Sequence, residues 1–269
     1  MASPRIAFLG AGNLASAMVR GLLARKVHTP GDIACTSKHG VTAQKLAADT
    51  GITFESDLPK LLAGADTVIV AFKPQSLAGS DPRLAELTAG KLVLSVLAGI
   101  KLARLAQIFP RARNLVRALP NLPAAIGAGI TPWCSLALLA PADHATMEKL
   151  LGSLGQHLAL GEEHMDTVTA LVGSGPAFLF EFLAALRDGG GAAGLPRETA
   201  LQLAIQTVLG STKLLAQTGG EPEALRDKVV SPNGTTFAGL QVMAARQFRE
   251  TVKETILAAA RRSGELSQD

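Results

Sequence analysis

The chain has 269 residues, 48% of them hydrophobic and 18% charged, a balance that belongs to a folded globular protein and excludes a disordered one. Its 26 Lys and Arg against 22 Asp and Glu give a formal charge of +4 without any basic block, so a nucleic-acid surface is not expected and small anionic ligands are. The two cysteines, Cys35 and Cys134, form neither a disulfide framework nor a metal-ligand spacing. With no signal-peptide pattern at the N-terminus, and with the apolar stretches at 67–72 and 92–100 too short to span a bilayer, the expectation is a cytoplasmic protein without metal, membrane or nucleic-acid partner.

In chain order, residues 6–9 read as a strand and 14–25 as a helix, followed by a strand at 33–36 and a helix at 41–50. The runs at 67–72 and 92–96 are continuously apolar, as parallel strands buried on both faces must be. Further strands are expected at 114–118 and 129–132, a helix at 142–154, and an extended piece at 157–160. This alternation implies an α/β fold, a doubly wound Rossmann sheet with right-handed crossovers. From Glu163 onward the texture is Ala/Leu-rich and helical, over 164–190, 196–217, 221–229 and 235–262. Two domains are therefore expected, 1–162 for a dinucleotide and 163–269 all-helical, with a polar tail from Ser263 to Asp269 outside the packed structure. Several of these helices are apolar on more than one face and need burial that so small a domain does not provide. An obligate homo-oligomer is the expected outlet.

Gly10-Ala11-Gly12-Asn13-Leu14-Ala15 follows the first strand and opens the first helix, the context in which G-x-G-x-x-A holds a pyrophosphate. Gly10 permits the turn, Gly12 lets the backbone approach phosphate, Ala15 lets the helix lie close to the sheet, and Asn13 and Leu14 present the helix N-terminus. A structural glycine turn is the alternative, outweighed by the βα units that follow. At the end of the second strand, NAD-binding proteins carry an acid for the ribose hydroxyls. Here Ser37 and Lys38 stand instead, a hydroxyl and a cation suited to a 2′-phosphate, while Asp32 belongs at the strand's far end. NADPH is the expected cofactor, with NADH the alternative. Ala71, Lys73 and Pro74, and then Ala98 and Gly99, follow later strands on the same rim, where small residues let a flat nicotinamide lie against backbone. Asn121, in the rigid loop 117–123, is a further candidate for ligand contact. Each of these is otherwise an ordinary polar surface loop.

Two glycine-rich segments interrupt the helical half. In Gly173-Ser174-Gly175-Pro176-Ala177 the proline marks a new helix start. In residues 226–240, Ser231, Asn233 and Gly234 form a turn into Thr235-Thr236, whose N–H groups and hydroxyls suit a carboxylate. Helix capping alone would need one such hydroxyl.

These residues resemble the bacterial pyrroline-5-carboxylate reductase family over essentially the full length. The resemblance is carried by Gly-Ala-Gly-Asn-Leu at 10–14, Val-x-Phe-Lys-Pro-Gln at 70–75, Ser-Val-Leu-Ala-Gly at 95–99 and Pro-Asn-x-Pro at 120–123. It continues in Gly-Ser-Gly-Pro-Ala at 173–177, Gly-Leu-Pro-Arg-Glu-Thr-Ala at 194–200 and Asp-Lys-Val-x-Ser-Pro-x-Gly-Thr-Thr at 227–236, the most specific. It implies NADPH-dependent hydride transfer to a cyclic imine giving L-proline, the last step of proline biosynthesis. It also implies a substrate carboxylate held by Ser231, Asn233, Gly234, Thr235 and Thr236, with the Thr236 hydroxyl, the one catalytic candidate, on the ring nitrogen. The chain departs from the family's commoner residues at Leu58, Leu122, Val172, Phe178 and Asn233. The departures at Leu122, Val172 and Phe178 keep open a paralogue acting on another cyclic imine acid. A non-catalytic NADP(H)-binding redox sensor is the other alternative. A β-hydroxyacid dehydrogenase would need a catalytic Lys in the first helices of the second half, and none lies between Lys149 and Lys213.

Overall fold

A computed structural model describes residues 6–267 and resolves the chain into two compact units, Met1–Gly173 with Ala259–Asp269, and Ser174–Ala258. The strands of the first unit are β1 (Ile6–Leu9), β2 (Ile33–Thr36), β3 (Thr53–Phe54), β4 (Thr67–Val70), β5 (Leu92–Ser95), β6 (Asn114–Ala118), β7 (Gly129–Ser135) and β8 (Gly155–Ala159). They form one sheet in the order β3-β2-β1-β4-β5-β6-β7-β8. Its helices are α1 (Asn13–Ala24), α2 (Val41–Thr50), α3 (Leu58–Ala63), α4 (Leu84–Leu87), α5 (Leu102–Ile108), α6 (Pro141–Gly152) and α7 (Met165–Val168).

The period-two alternation of the strands divides the core into two layers. Ile6, Phe8, Ile69 and Leu94 pack with Met18 and Leu22 of α1 on one face. Ala7, Leu9, Val68, Val70 and Val93 pack with Leu61, Leu62 and Leu105 on the other. Helices thus cover both faces, as a doubly wound sheet requires. One departure from the expected parallel order is β7, which pairs antiparallel with β6. The link between them is a short 3-10 turn, Leu122–Ile126, and a parallel return would need a full crossover. At the edge of the sheet where β4 begins, Arg113 donates to both oxygens of Asp143, with its shortest contact at 2.7 Å, and to Asp66.

The second unit contains α8 (Gly175–Ala192), α9 (Arg197–Thr218), α10 (Pro222–Val229), α11 (Thr235–Ala245) and most of α12 (Phe248–Leu266). No strand occurs there among the described residues. The helical stretch at 164–190 is interrupted, with a new helix starting around Pro176 as expected. A 3-10 turn (Glu162–His164), α7 and a π turn (Thr169–Gly173) precede α8, which starts with Pro176 in its first turn. The expected helix at 235–262 is also split, because Gln247 takes a left-handed φ of 52° between α11 and α12.

The polar tail is a correction: α12 continues to Leu266, and Ser263 is buried. Both Ser263 and Ser267 donate hydroxyl hydrogen bonds to Asp166 Oδ1, at 2.8 and 3.0 Å, so these serines are anchored in the first unit. The rest of the tail, residues 268–269, lies outside the described residues.

In the second unit α8 packs along α9, yet α8, α10 and α11 bury no residue. Phe180, Leu203, Leu209 and Val242 are among the large apolar side chains left exposed. The run Glu162–Ala192 is long and apolar enough to cross a membrane by length and composition.

Candidate functional site

Parallel pairing brings the carboxyl ends of β1, β2, β4, β5 and β6 to one edge of the sheet. The loops leaving that edge are stitched together by backbone bonds. Gly10 N–H donates to Thr36 O (3.0 Å), Ala71 N–H to Leu9 O (2.9 Å), and Val96 N–H to Val70 O (3.0 Å). The candidate cofactor residues Gly10, Gly12, Asn13, Leu14, Ser37, Lys38, Ala71, Lys73, Pro74, Ala98 and Gly99 therefore all follow strands ending on this edge. Asp32 instead precedes β2, where its carboxylate accepts from the Thr29 N–H and hydroxyl.

The two glycines of the first loop do different things. Gly10 has φ +115°, and a β-carbon there would lie 2.5 Å from the Ala71 carbonyl carbon. Gly12 has an ordinary extended conformation, and a β-carbon there would point into open space. Gly12 is also the N-cap of α1, which has no side-chain cap and no acid in its first turn. Outward-facing N–H groups at the positive end of a helix, with room above them, fit a pyrophosphate.

At the end of β2, Ser37 Oγ accepts the Ala43 N–H at 3.2 Å and so caps α2, which begins after a glycine. Its own proton remains available to donate. Lys38 is exposed beside it. Cys35, one turn of the pleat earlier, is fully buried, and burial pushes its thiol up to about 11, so it is neutral at ordinary pH. In the β6–β7 link, Asn121 Oδ1 accepts the Ile130 N–H at 3.1 Å.

The second set of candidates gathers in the second unit. Ser231 O accepts the Gly234 N–H at 3.0 Å, closing a turn in which Asn233 takes φ 58°. Asparagine tolerates that left-handed backbone. Gly234 is the N-cap of α11, again without a side-chain cap, and Thr235 and Thr236 form the first turn. A β-carbon on Gly234 would lie 2.3 Å from Ser231 Oγ. The turn thus offers backbone N–H groups together with the hydroxyls of Ser231, Thr235 and Thr236. Asn121 belongs to the first unit and Ser231, Asn233, Gly234, Thr235 and Thr236 to the second.

Two descriptions of known families match this chain. "Pyrroline-5-carboxylate reductase dimerisation" matches residues 162–266, and "NADP oxidoreductase coenzyme F420-dependent" matches residues 5–99. A pyrroline-5-carboxylate reductase of Arabidopsis thaliana is 39% identical over 266 residues, covering 98% of this chain and 96% of the relative. One from Synechocystis is 37% identical, covering 99% of each. The chain belongs to the pyrroline-5-carboxylate reductase family. Among solved structures, a pyrroline-5-carboxylate reductase from Coxiella burnetii matches with a TM-score of 0.91 and 29% identity, covering 98% of this chain and 99% of that one. A Plasmodium falciparum pyrroline carboxylate reductase with NADP bound matches with a TM-score of 0.86 and 25% identity, covering 99% of each.

One feature of this chain has little trace in its local sequence. Arg117 of β6 is buried, and its guanidinium donates to Glu162 Oε1 at 3.1 Å. The only local signal was a cation inside an apolar strand.

Proposed function

We propose that this chain is an NADPH-dependent pyrroline-5-carboxylate reductase, reducing the cyclic imine to L-proline, with its dinucleotide domain in residues 1–162 and its substrate and dimerisation domain in 163–269. The reading is carried by one conjunction: two uncapped helix N-termini, α1 after Gly12 and α11 after Gly234, in a chain that matches reductases of this name from end to end. Both ends suit anions, a pyrophosphate at the first and a carboxylate at the second.

Gly12, Asn13 and Leu14 would hold the pyrophosphate, Ser37 and Lys38 the 2′-phosphate, and the backbone of Ala71, Lys73, Pro74, Ala98 and Gly99 the nicotinamide half. NADPH, when bound, supplies the hydride that a protonated cyclic imine accepts at its C=N carbon. The substrate carboxylate is held by Ser231, Asn233, Gly234 and Thr235, and Thr236 Oγ1 accepts the hydrogen bond of the ring N–H. Asn121 adds a polar amide at the rim of the first unit. Because a protonated imine is already electrophilic, the residues' task is orientation, and neither candidate set contains a carboxylate or histidine acting as acid or base.

The exposed apolar faces of α8, α9 and α11 fall within the residues that match the dimerisation family, and they support an interlocked homodimer rather than a membrane anchor. The free, buried thiols of Cys35 and Cys134 support the cytoplasm.

The test is steady-state NADPH oxidation with pyrroline-5-carboxylate, with proline identified as product, repeated with the six-membered imine carboxylate. Faster turnover of the five-membered ring is expected. Turnover of the six-membered ring alone would make the chain a paralogue, and NADPH binding without any turnover would make it a sensor.

A further inference from the structure

We infer that Glu162 is a positioning residue for the nicotinamide end of the cofactor site, acting through the loop between β5 and α5; the inference rests on the dinucleotide reading above. Glu162 Oε1 accepts two hydrogen bonds at once, from the Leu102 backbone N–H at 2.7 Å and from the buried Arg117 guanidinium at 3.1 Å. Leu102 is the first residue of α5, and its N-cap, Lys101, has no side-chain cap. The N–H of a first-turn residue has no partner within its own helix. Glu162 therefore supplies from a distant segment the cap that α5 lacks, and a charged acceptor makes that bond a strong one.

The geometry gives this bond a consequence for the cofactor loop. The loop at 96–101 starts from buried Val96 and Leu97, passes through exposed Ala98 and through Gly99 at φ +77°, and ends at the capped Leu102. Val96 N–H is fixed to Val70 O at one end, and Glu162 fixes the other. Arg117 lies in β6 directly beside Ser95, the last residue of β5. The carboxylate thus ties the far end of the loop to the strand next to its origin. On the loop's other side, the Leu266 carbonyl oxygen lies 3.8 Å from where a Gly99 β-carbon would stand. That end of α12 is seated by Asp166, four residues after Glu162. The segment 162–166 in this way fixes the loop's far end through Glu162 and, through Asp166, seats the end of α12 that lies beside Gly99.

A merely structural ion pair would stabilise the fold without distinguishing one part of the cofactor from another. A positioning role makes a narrower demand: the nicotinamide half should lose affinity while the adenosine 2′-phosphate half, bound at the end of β2, does not. The experiment is equilibrium titration of wild type and Glu162→Gln with NADPH and, separately, with 2′,5′-ADP, which lacks the nicotinamide. The expected result is an NADPH dissociation constant raised about tenfold, in line with losing a charge-assisted hydrogen bond, with 2′,5′-ADP changed less than about twofold. A second variant guards against a folding defect. In Arg117→Met/Glu162→Leu the ion pair, its arginine buried and its glutamate partly exposed, gives way to apolar side chains of similar size, a replacement that proteins often tolerate. It still leaves Leu102 uncapped, and the same selective loss is expected. Equal losses for both ligands, or none for either, would overturn the positioning role while leaving the reductase reading intact. Failure of the wild type to bind NADPH would overturn both.

Discussion

Gly10 and Ala71 approach so closely that a β-carbon on Gly10 would lie 2.5 Å from the Ala71 carbonyl carbon and 2.6 Å from its oxygen. The obstacle is backbone of the neighbouring strand end, which cannot swing aside, and Gly10 also has a φ of +115°. Gly10→Ala should therefore destabilise the fold itself, by at least about 2–3 kcal/mol in urea unfolding, through clash and backbone strain together. Gly12→Ala should do the opposite. With open space above Gly12, its unfolding midpoint should stay near wild type while the NADPH dissociation constant rises at least about tenfold, because the added methyl stands where phosphate must approach. Equal behaviour of the two variants in both measurements would contradict the assignment of this loop.

Lys38 and Ser37 test the 2′-phosphate assignment unequally. Ser37 Oγ already caps α2 through the Ala43 N–H, so removing it perturbs folding as well as binding. Lys38 is exposed and makes the cleaner variant. Lys38→Ala should lower kcat/KM with NADPH about tenfold, the worth of a charge-assisted contact, and leave kcat/KM with NADH unchanged. A parallel fall with both nucleotides would remove Lys38 from the 2′-phosphate site.

The two thiols set an alkaline limit on stability. Burial raises Cys35 from 9.0 to about 11, and burial, reinforced by the charge of Glu162, does the same for Cys134. A raised folded pKa means that the native state holds its proton more tightly than the unfolded one. The contribution is fully present below pH 9 and is lost as pH climbs through about 11. Stability measured by urea unfolding should fall across that window, less steeply in Cys35→Ala/Cys134→Ala. At neutral pH neither thiol should react with iodoacetamide until the chain is unfolded.

The parts of the fold that were legible in the sequence are those whose signal is local. β2 and α2 were delimited by apolar runs and glycines at their ends, and β4 and β5 by continuous apolar stretches. β3, α3, α4 and α5 have no such signal, being too short to establish a period. The direction of β7 was hidden because it depends on the link before it rather than on its own composition. The break at Gln247 carries neither glycine nor proline, so its left-handed φ of 52° leaves no local signal.

Glycine patterning exposed the site loops, since a positive φ or a close approach leaves few other choices. Contacts between distant residues left no such trace. Glu162 and Arg117 are 45 positions apart, and Ser263 meets Asp166 across 97, so a buried serine near the C-terminus read as solvent-facing tail.

The most direct test of the central claim compares wild type with Thr236→Ala in NADPH oxidation with pyrroline-5-carboxylate, alongside NADPH titration of both proteins. Thr236 lies in the first turn of α11, and alanine there preserves the helix while removing the hydroxyl. The account predicts robust wild-type turnover, a fall of about 10²–10³ in rate for the variant by analogy with deleting an oxyanion donor, and unchanged NADPH affinity. A Thr236→Ala variant that reduces the imine at the wild-type rate would contradict the placement of the reacting ring at this loop.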